Sequence, residues 1–155
     1  MKKLLLILLS AFMFHNVGAQ TQSVYAKTSI RCVGVELDGS QTLRVKGYGR
    51  NRSDAKEQAK KNAVWAVVFF GIRDGVDGCN MRPLVNEVNA QERYEDYFNL
   101  FFSDNGEYKK YVSMRDTKKR SGAKVKDKLG YSYDLTVRVL RPQLKARLKS
   151  DNIIE

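Results

Sequence analysis

Residues 43–71 constrain the fold of this chain more than any other stretch. Its first part, 43–49, has the alternating pattern of a β-strand and ends in a glycine-x-glycine sequence. Small and apolar residues then recur at spacings of four, four, three and four, which indicates one face of a helix. They are Ala55, Ala59, Ala63, Ala66 and Phe70. Since alanine side chains allow close approach, the stretch predicts a helix that packs tightly on a sheet.

Local signals place the two ends of this helix. Ser53 is predicted as the N-cap, because its hydroxyl can accept a hydrogen bond from a free backbone N–H of the first turn. Asp54 adds negative charge near the positive end of the helix dipole, and Gly71 is predicted to end the helix as its C′ residue. The preceding glycines do not predict a phosphate loop, because the third glycine is absent and a basic sequence follows.

The rest of the chain predicts a sheet and two further helical regions. Strands are expected at 28–37, 41–49, 108–115 and 128–140, and further helices at 84–103 and from Pro142 onward. The strand at 128–140 has the clearest alternation and could begin at Lys124. The order β-β-α-α-β-β-α predicts an α+β fold, in which an antiparallel sheet of about four strands is packed by the central amphipathic helix.

The first 19 residues have the composition of a bacterial secretory signal peptide. Lys2 and Lys3 precede an apolar run at 4–14, and small residues suited to cleavage follow at 17–19. The run is short for a membrane span, which makes an N-terminal anchor the weaker alternative. We therefore expect residues 1–19 to be removed and residues 20–155 to form a single α+β domain. The mature protein is expected in the periplasm, at the outer membrane or in the medium.

The mature chain is strongly basic. Subtracting 19 residues from 155 leaves 136, and the loss of Lys2 and Lys3 lowers the formal net charge from +11 to +9. In an exported protein this charge favours anionic glycolipids, acidic glycans or other proteins over nucleic acid as partners. The predicted hairpin 109–128 is a candidate surface for such an anionic ligand, with a purely solvated face as the alternative. Its cationic residues are Lys109, Lys110, Lys118, Lys119, Arg120, Lys124 and Lys126.

Catalytic and metal-binding patterns are weak throughout the chain. The single histidine, His15, lies in the predicted signal, so histidine-based triads and zinc sites are not expected in the mature protein. Asp74 and Asp77 lack the further ligands of a calcium loop. Glu92 and Asp96 would suit a hydrolase only if they faced each other across a cleft, and solvated carboxylates are the alternative. We expect neither catalysis nor a cofactor.

Cys32 and Cys79 are the two cysteines of the chain, and their state is left open by the sequence. An oxidising compartment outside the cytoplasm permits a disulfide between them. The alternative is two separate thiols, one of them buried as a small apolar group, since two cysteines alone do not specify a bridge.

Two runs resemble a known family. The run VKGYGRNRSDAKEQAKKNAVWAV is similar to the strand–glycine–helix core of the N-terminal domain of flagellar assembly protein T and of related small outer-membrane lipoproteins and exported proteins. The run YSYDLTVRVLRPQLKARLKSDNII is similar to the long strand and short leucine-bearing helix of that domain. The resemblance covers most of 43–154 and implies a compact α+β envelope protein that binds or assembles with other envelope proteins. It brings no catalytic residues, and the chain lacks the lipid-bearing cysteine of the lipoproteins.

The favoured hypothesis is therefore a non-catalytic, exported envelope protein that binds other proteins or assembles, with a homo-oligomer among the possible assemblies. The alternative is a binder of anionic glycolipid or glycan that uses the predicted hairpin 109–128.

Overall fold

The protein forms a mixed six-stranded sheet against which the central helix packs. The structure is a computed structural model that describes residues 29–114, 124–127 and 130–155, with the backbone alone at positions 124 and 127. The predicted signal peptide therefore lies outside the described residues. In chain order the elements are β1 (Ile30–Val35), β2 (Gln41–Gly49), α1 (Arg52–Trp65), a π-helix (Ala66–Phe70), β3 (Asp74–Gly75), α2 (Ala90–Arg93), α3 (Glu95–Phe101), a 3-10 helix (Glu107–Tyr111), β4 (Val112–Ser113), β5 (Lys124–Asp127), β6 (Gly130–Val139) and α4 (Arg141–Ser150).

The sheet confirms the α+β class but not the predicted strand arrangement. The strand order is β3-β1-β2-β6-β4, and β5 also pairs with β6. The β1–β2 and β2–β6 pairs are antiparallel, whereas β1 and β3 are parallel. The predicted four-stranded, antiparallel sheet and its element order are therefore wrong. The strands beyond the predicted four are β3 and β5. Strand β3 has two residues, too few for a periodic pattern that sequence alone could reveal, and β5 is a separate strand where the sequence allowed an early start of the strand at 128–140.

Helix α1 begins at a different cap from the predicted one. The side chain of Asn51, not Ser53, caps the helix, because its Oδ1 accepts hydrogen bonds from the backbone N–H groups of Ser53 and Asp54 at 2.8 and 3.0 Å. Asparagine is as good an N-cap as serine, so both residues carry the same local signal. Asp54 still lies in the first turn, as predicted.

The alanine stripe faces the sheet as predicted, except at its last member. Ala55, Ala59 and Ala63 are fully buried and Ala66 is 2% exposed, whereas Phe70 is 44% exposed. The chain between Ala66 and Phe70 is a π-helix, whose wider turn takes Phe70 out of line with the preceding stripe. Gly71 follows with a φ of 70°, a left-handed conformation that suits glycine.

Within the predicted helix at 84–103, helical structure starts further along the chain and covers fewer residues than predicted. The backbone N–H groups of Leu84 and Val85 donate to the carbonyls of Val67 and Val68, both at 2.9 Å. Residues 84–85 thus satisfy carbonyls at the end of the π-helix and start no helix of their own. Helical structure begins only at Ala90 and is interrupted between α2 and α3.

The predicted strand at 108–115 is mostly a 3-10 helix. Tyr108 is fully buried and stacks on Phe102, with ring centroids 5.9 Å apart, and Tyr111 stacks on Phe101 at the same distance. Residues three apart share one side of a 3-10 helix, so both tyrosines reach the aromatic core in this conformation. Only Val112 and Ser113 then pair with β6. Within the described ranges, no helix has the length and apolar character needed to cross a membrane.

Candidate functional site

A disulfide joins Cys32 to Cys79 and fastens the loop after α1 to strand β1. The two Cα atoms are 6.3 Å apart, and Cys32 is fully buried. The backbone N–H of Val76 also donates to the carbonyl of Cys32 at 3.1 Å. Of the two cysteine states that the sequence leaves open, the structure contains the bridge. The loop at 72–81 is thereby held against β1 at Arg31 and Cys32.

The outer edge of β1 carries apolar side chains that solvent reaches. Strand β3 pairs only with Arg31 and Cys32, so among the described residues no strand covers the outer side of β1 beyond Cys32. Five apolar side chains on β1, on the turn after it and on the fastened loop are each at least 38% exposed. We call these residues the β1 edge: Val33, Val35, Leu37, Val76 and Met81.

The predicted basic surface is divided in the structure. Lys109 lies 3.4 Å from Glu57, and Lys110 lies 2.8 Å from Glu107, as measured between ammonium nitrogen and carboxylate oxygen. Lys126 lies over the ring of Tyr131, 5.7 Å from its centroid. Lys118, Lys119, Arg120 and the side chain of Lys124 are outside the described part of the chain.

Strand β6 separates the described lysines of this surface. Lys126 pairs with Tyr131 near the start of β6, whereas Val112, which follows the segment with Lys109 and Lys110, pairs with Val139 at its end. Eight residues of extended strand span about 26 Å. The described lysines therefore form two small groups, and Lys109 and Lys110 are already matched by nearby carboxylates.

Glu57, on helix α1, is the centre of a polar cluster. It accepts a short hydrogen bond from the Tyr108 hydroxyl, and its other oxygen is 2.8 Å from Lys60. Burial alone would raise the pKa of Glu57, but the hydrogen bonds from Lys60 and Tyr108, together with the charges of Lys60 and Lys109, outweigh it and lower the pKa to about 2. The cluster ties α1 to the 3-10 helix, which is a structural role.

The shifted pKa of Glu57 predicts a loss of stability in acid. A lowered pKa in the folded state stabilises the protein above the ordinary value of 4.5, and this contribution disappears as the pH falls towards about 2. Because the carboxylate is partly exposed, we expect a contribution of about 1–2 kcal/mol. Urea unfolding at several pH values should show that Glu57→Gln lowers the free energy of unfolding at pH 7 and flattens its pH dependence between about 5 and 2. Equal losses for Glu57→Gln and the exposed control Glu92→Gln would contradict this assignment.

The carboxylates considered for hydrolysis do not share a pocket. Glu92 lies in α2 and Asp96 in α3, and both side chains are exposed. A groove of about 440 Å³ beside Trp65 includes Glu92 but not Asp96. In the described part of the chain, no group of three or more His, Cys, Asp or Glu residues is placed to hold a metal ion. Asp74, in particular, forms strand β3 and an ion pair with Arg31.

A polar groove of about 930 Å³ lies where the segment 80–87, helix α2, the start of α4 and the chain after α4 meet. We call it the Arg141 groove. Four cationic side chains line it, against two carboxylate side chains, Glu87 and Glu155. The cations are Arg82, Arg93, Arg141 and Lys145.

Arg141 is the buried member of this groove. It is only 9% exposed, and its Nη2 donates to the carbonyl oxygen of Arg82 at 2.8 Å. Its Nη1 lies 3.4 Å from the side-chain oxygen of Gln41, at the limit of a hydrogen bond. Burial lowers the pKa of Arg141. Among the described residues, no carboxylate lies within 4.0 Å of its guanidinium group, so its charge is balanced by neutral acceptors alone.

Sequence reasoning missed this groove because its residues come from separate segments. No regular spacing in the sequence relates the four cations of the groove, which are Arg82, Arg93, Arg141 and Lys145. The one available signal is the sequence Arg141-Pro142, which places an arginine at the first position of a helix, where positive charge is unfavourable.

Comparison with protein-family models, curated proteins and solved structures gives no match for this chain. The resemblance to the N-terminal domain of flagellar assembly protein T therefore stays a prediction. The β1 edge and the Arg141 groove are candidate binding sites among the described residues.

Proposed function

We propose that this protein is an exported, non-catalytic protein of the bacterial envelope that binds an extended segment of another envelope protein along the β1 edge. The observation that carries this proposal is the strip of exposed apolar side chains beside an incompletely paired edge strand. Export is supported by the signal-like sequence at 1–19, and a non-catalytic role by the loss of His15 with that signal.

An open strand edge is a binding site for another extended chain. Backbone groups of the incoming segment can pair with the edge, while alternate side chains contact apolar residues beside it. Proteins that do not use such edges usually protect them with charges or prolines. Val33 and Val35 on β1 are instead apolar and both 41% exposed. The fastened loop adds Val76 and Met81, which widens the apolar surface that a bound segment would cover.

Charge favours a different protein over a second copy of this chain as the occupant. The formal net charge of +11, or +9 without Lys2 and Lys3, opposes close association of two identical chains. The exposed cations Arg73 and Arg31 lie at the β3 end of the edge, and Arg31 is paired with Asp74. An extended segment with alternating apolar residues and acidic flanks therefore complements this surface best.

Site-specific photocrosslinking in cells of the producing organism tests the proposal. A photoreactive amino acid at position 76 should crosslink to one protein of defined mass. Val33→Lys or Val35→Lys should lower the yield at least about fivefold, because each places a charge in the apolar contact. Leu100→Lys is the matched control: Leu100 is 75% exposed but lies on α3, away from the edge, so this variant should leave the yield unchanged.

Two results would overturn the proposal. The first is a photoreactive residue at position 100 that gives the same crosslinked product in the same yield. The second is crosslinking solely to further copies of this chain, accompanied by a dimer in sedimentation of the purified protein. We expect the purified protein to sediment as a monomer.

A further inference from the structure

We infer that the Arg141 groove binds a saccharide that carries an oxyanion, either a carboxylate or a phosphate ester. This site is separate from the β1 edge and from the predicted hairpin 109–128. The inference rests on a buried cation without a carboxylate partner, on two further unpaired cations beside it, and on the amide and aromatic groups that line the same groove.

The buried guanidinium is the main attraction for an anion. An arginine side chain has five N–H donors. Among the described residues, Arg141 donates to the carbonyl oxygen of Arg82 at 2.8 Å and, at the longer distance of 3.4 Å, to the side-chain oxygen of Gln41. A buried charge is costly unless an opposite charge compensates for it. An oxyanion in the groove would supply that charge and accept hydrogen bonds from the guanidinium in the paired geometry that arginine favours.

The neighbouring cations reinforce this attraction. Arg82 and Lys145 are exposed, line the same groove, and form no ion pair with a described residue. Arg93, by contrast, is paired with Glu87 and is less free to bind a ligand. The first turn of α4 carries no acidic side chain, so the helix dipole adds to the positive potential around Arg141.

The uncharged lining suits the hydroxyl groups of a sugar. Asn80, Asn86 and Asn152 border the groove, and amide groups both donate and accept hydrogen bonds. Tyr94 adds an aromatic ring, already in contact with the Arg93 guanidinium 5.4 Å from the ring centroid. The volume of about 930 Å³ is in the range of pockets that hold small organic ligands. Because amide groups and the Tyr94 ring lie beside the cations, the groove favours an acidic sugar over a simple anion such as phosphate.

Binding can be measured by NMR titration of the purified mature protein with four probes: a digalacturonate, glucose 6-phosphate, a neutral digalactoside and inorganic phosphate. We expect at least one acidic saccharide to bind about tenfold more tightly than the digalactoside and than phosphate, and to bind more weakly as salt is raised. The stronger of the two acidic probes then identifies the oxyanion as carboxylate or phosphate.

Variants separate binding from folding. Lys145→Gln and Arg82→Gln alter exposed side chains and should each weaken binding about threefold. Lys149→Gln is the matched control, because Lys149 is exposed on the same helix but does not line the groove; it should have no effect. Arg141→Gln should abolish binding, although it also removes the bond to the 80–83 segment, so its stability must be measured in parallel.

Three results would overturn the inference. One is binding of the neutral digalactoside as tight as that of the acidic saccharides. Another is the absence of any shift at the groove residues with every probe. The third is an equal loss of affinity in Lys145→Gln and Lys149→Gln, which would mean general charge attraction without a site.

Discussion

Replacing Gly47 by alanine is expected to lower the free energy of unfolding by about 3 kcal/mol, because the central helix lies directly on this residue. A Cβ atom at position 47 would overlap the carbonyl oxygen of Ala55 and the backbone nitrogen of Ala59, and would lie 2.8 Å from the Ala59 side chain. Two of these contacts are backbone atoms of α1, which cannot rotate away as a side chain can. The helix would have to move off the sheet and would lose part of its buried interface.

Gly34 provides the matched control for this substitution. It is also a strand glycine, but an added Cβ there meets no atom within 4 Å. Gly34→Ala should therefore change the free energy of unfolding by less than about 1 kcal/mol. Urea unfolding of both variants measures the difference. Similar stabilities for Gly47→Ala and Gly34→Ala would show that α1 does not pack on β2 as closely as described.

The parts of the fold that were predicted correctly are those with a local pattern. Strand β2 has the predicted bounds, since its alternation and its turn are both contained in a few residues. The alanine stripe identified the buried face of α1 for the same reason. The class α+β followed from these elements, because the apolar face of the helix and the apolar face of the strand are removed from water when they pack together.

The errors come from contacts between distant segments. Leu84 and Val85 have an apolar pattern compatible with a helix, but the carbonyls of the π-helix bind their N–H groups and determine their conformation. Tyr108 and Tyr111 have strand propensity, yet the aromatic core selects a 3-10 helix. Strand β3 exists only because it pairs with β1. In each case a tertiary contact overrides the local preference.

The candidate sites were less accessible to sequence reasoning than the fold. Positive charge along the chain pointed to the hairpin 109–128, where the described lysines are partly paired and separated along β6. The Arg141 groove depends on which cations lack a carboxylate within reach, and that is a property of the folded arrangement. Composition predicted an anionic ligand, which stays a prediction, but composition could not say where in the fold positive charge is left unbalanced.

Loss of the disulfide is expected to be the most destabilising change of all, at about 4 kcal/mol. The bridge closes a loop with a sequence separation of 47 residues, and the chain-entropy relation for a loop of that length gives this value. Cys79→Ala is the appropriate variant, because Cys79 is only partly buried whereas Cys32 is fully buried and its truncation would add a cavity. Urea unfolding should give a midpoint far below that of the wild-type protein.

Reductant provides the independent control for the disulfide prediction. It should bring the wild-type protein to the stability of Cys79→Ala and leave the variant unchanged. In both cases the N–H of Val76 should exchange faster with solvent, because the loop is then held near its acceptor, the carbonyl of Cys32, by noncovalent contacts alone, such as strand β3 and the hydrogen bond from Gln41 to Asn80. The same loosening should reduce crosslinking at the β1 edge, since Val76 and Met81 depend on the bridge for their position. Two titratable thiols in denatured, non-reduced protein, or equal stability with and without reductant, would contradict the prediction.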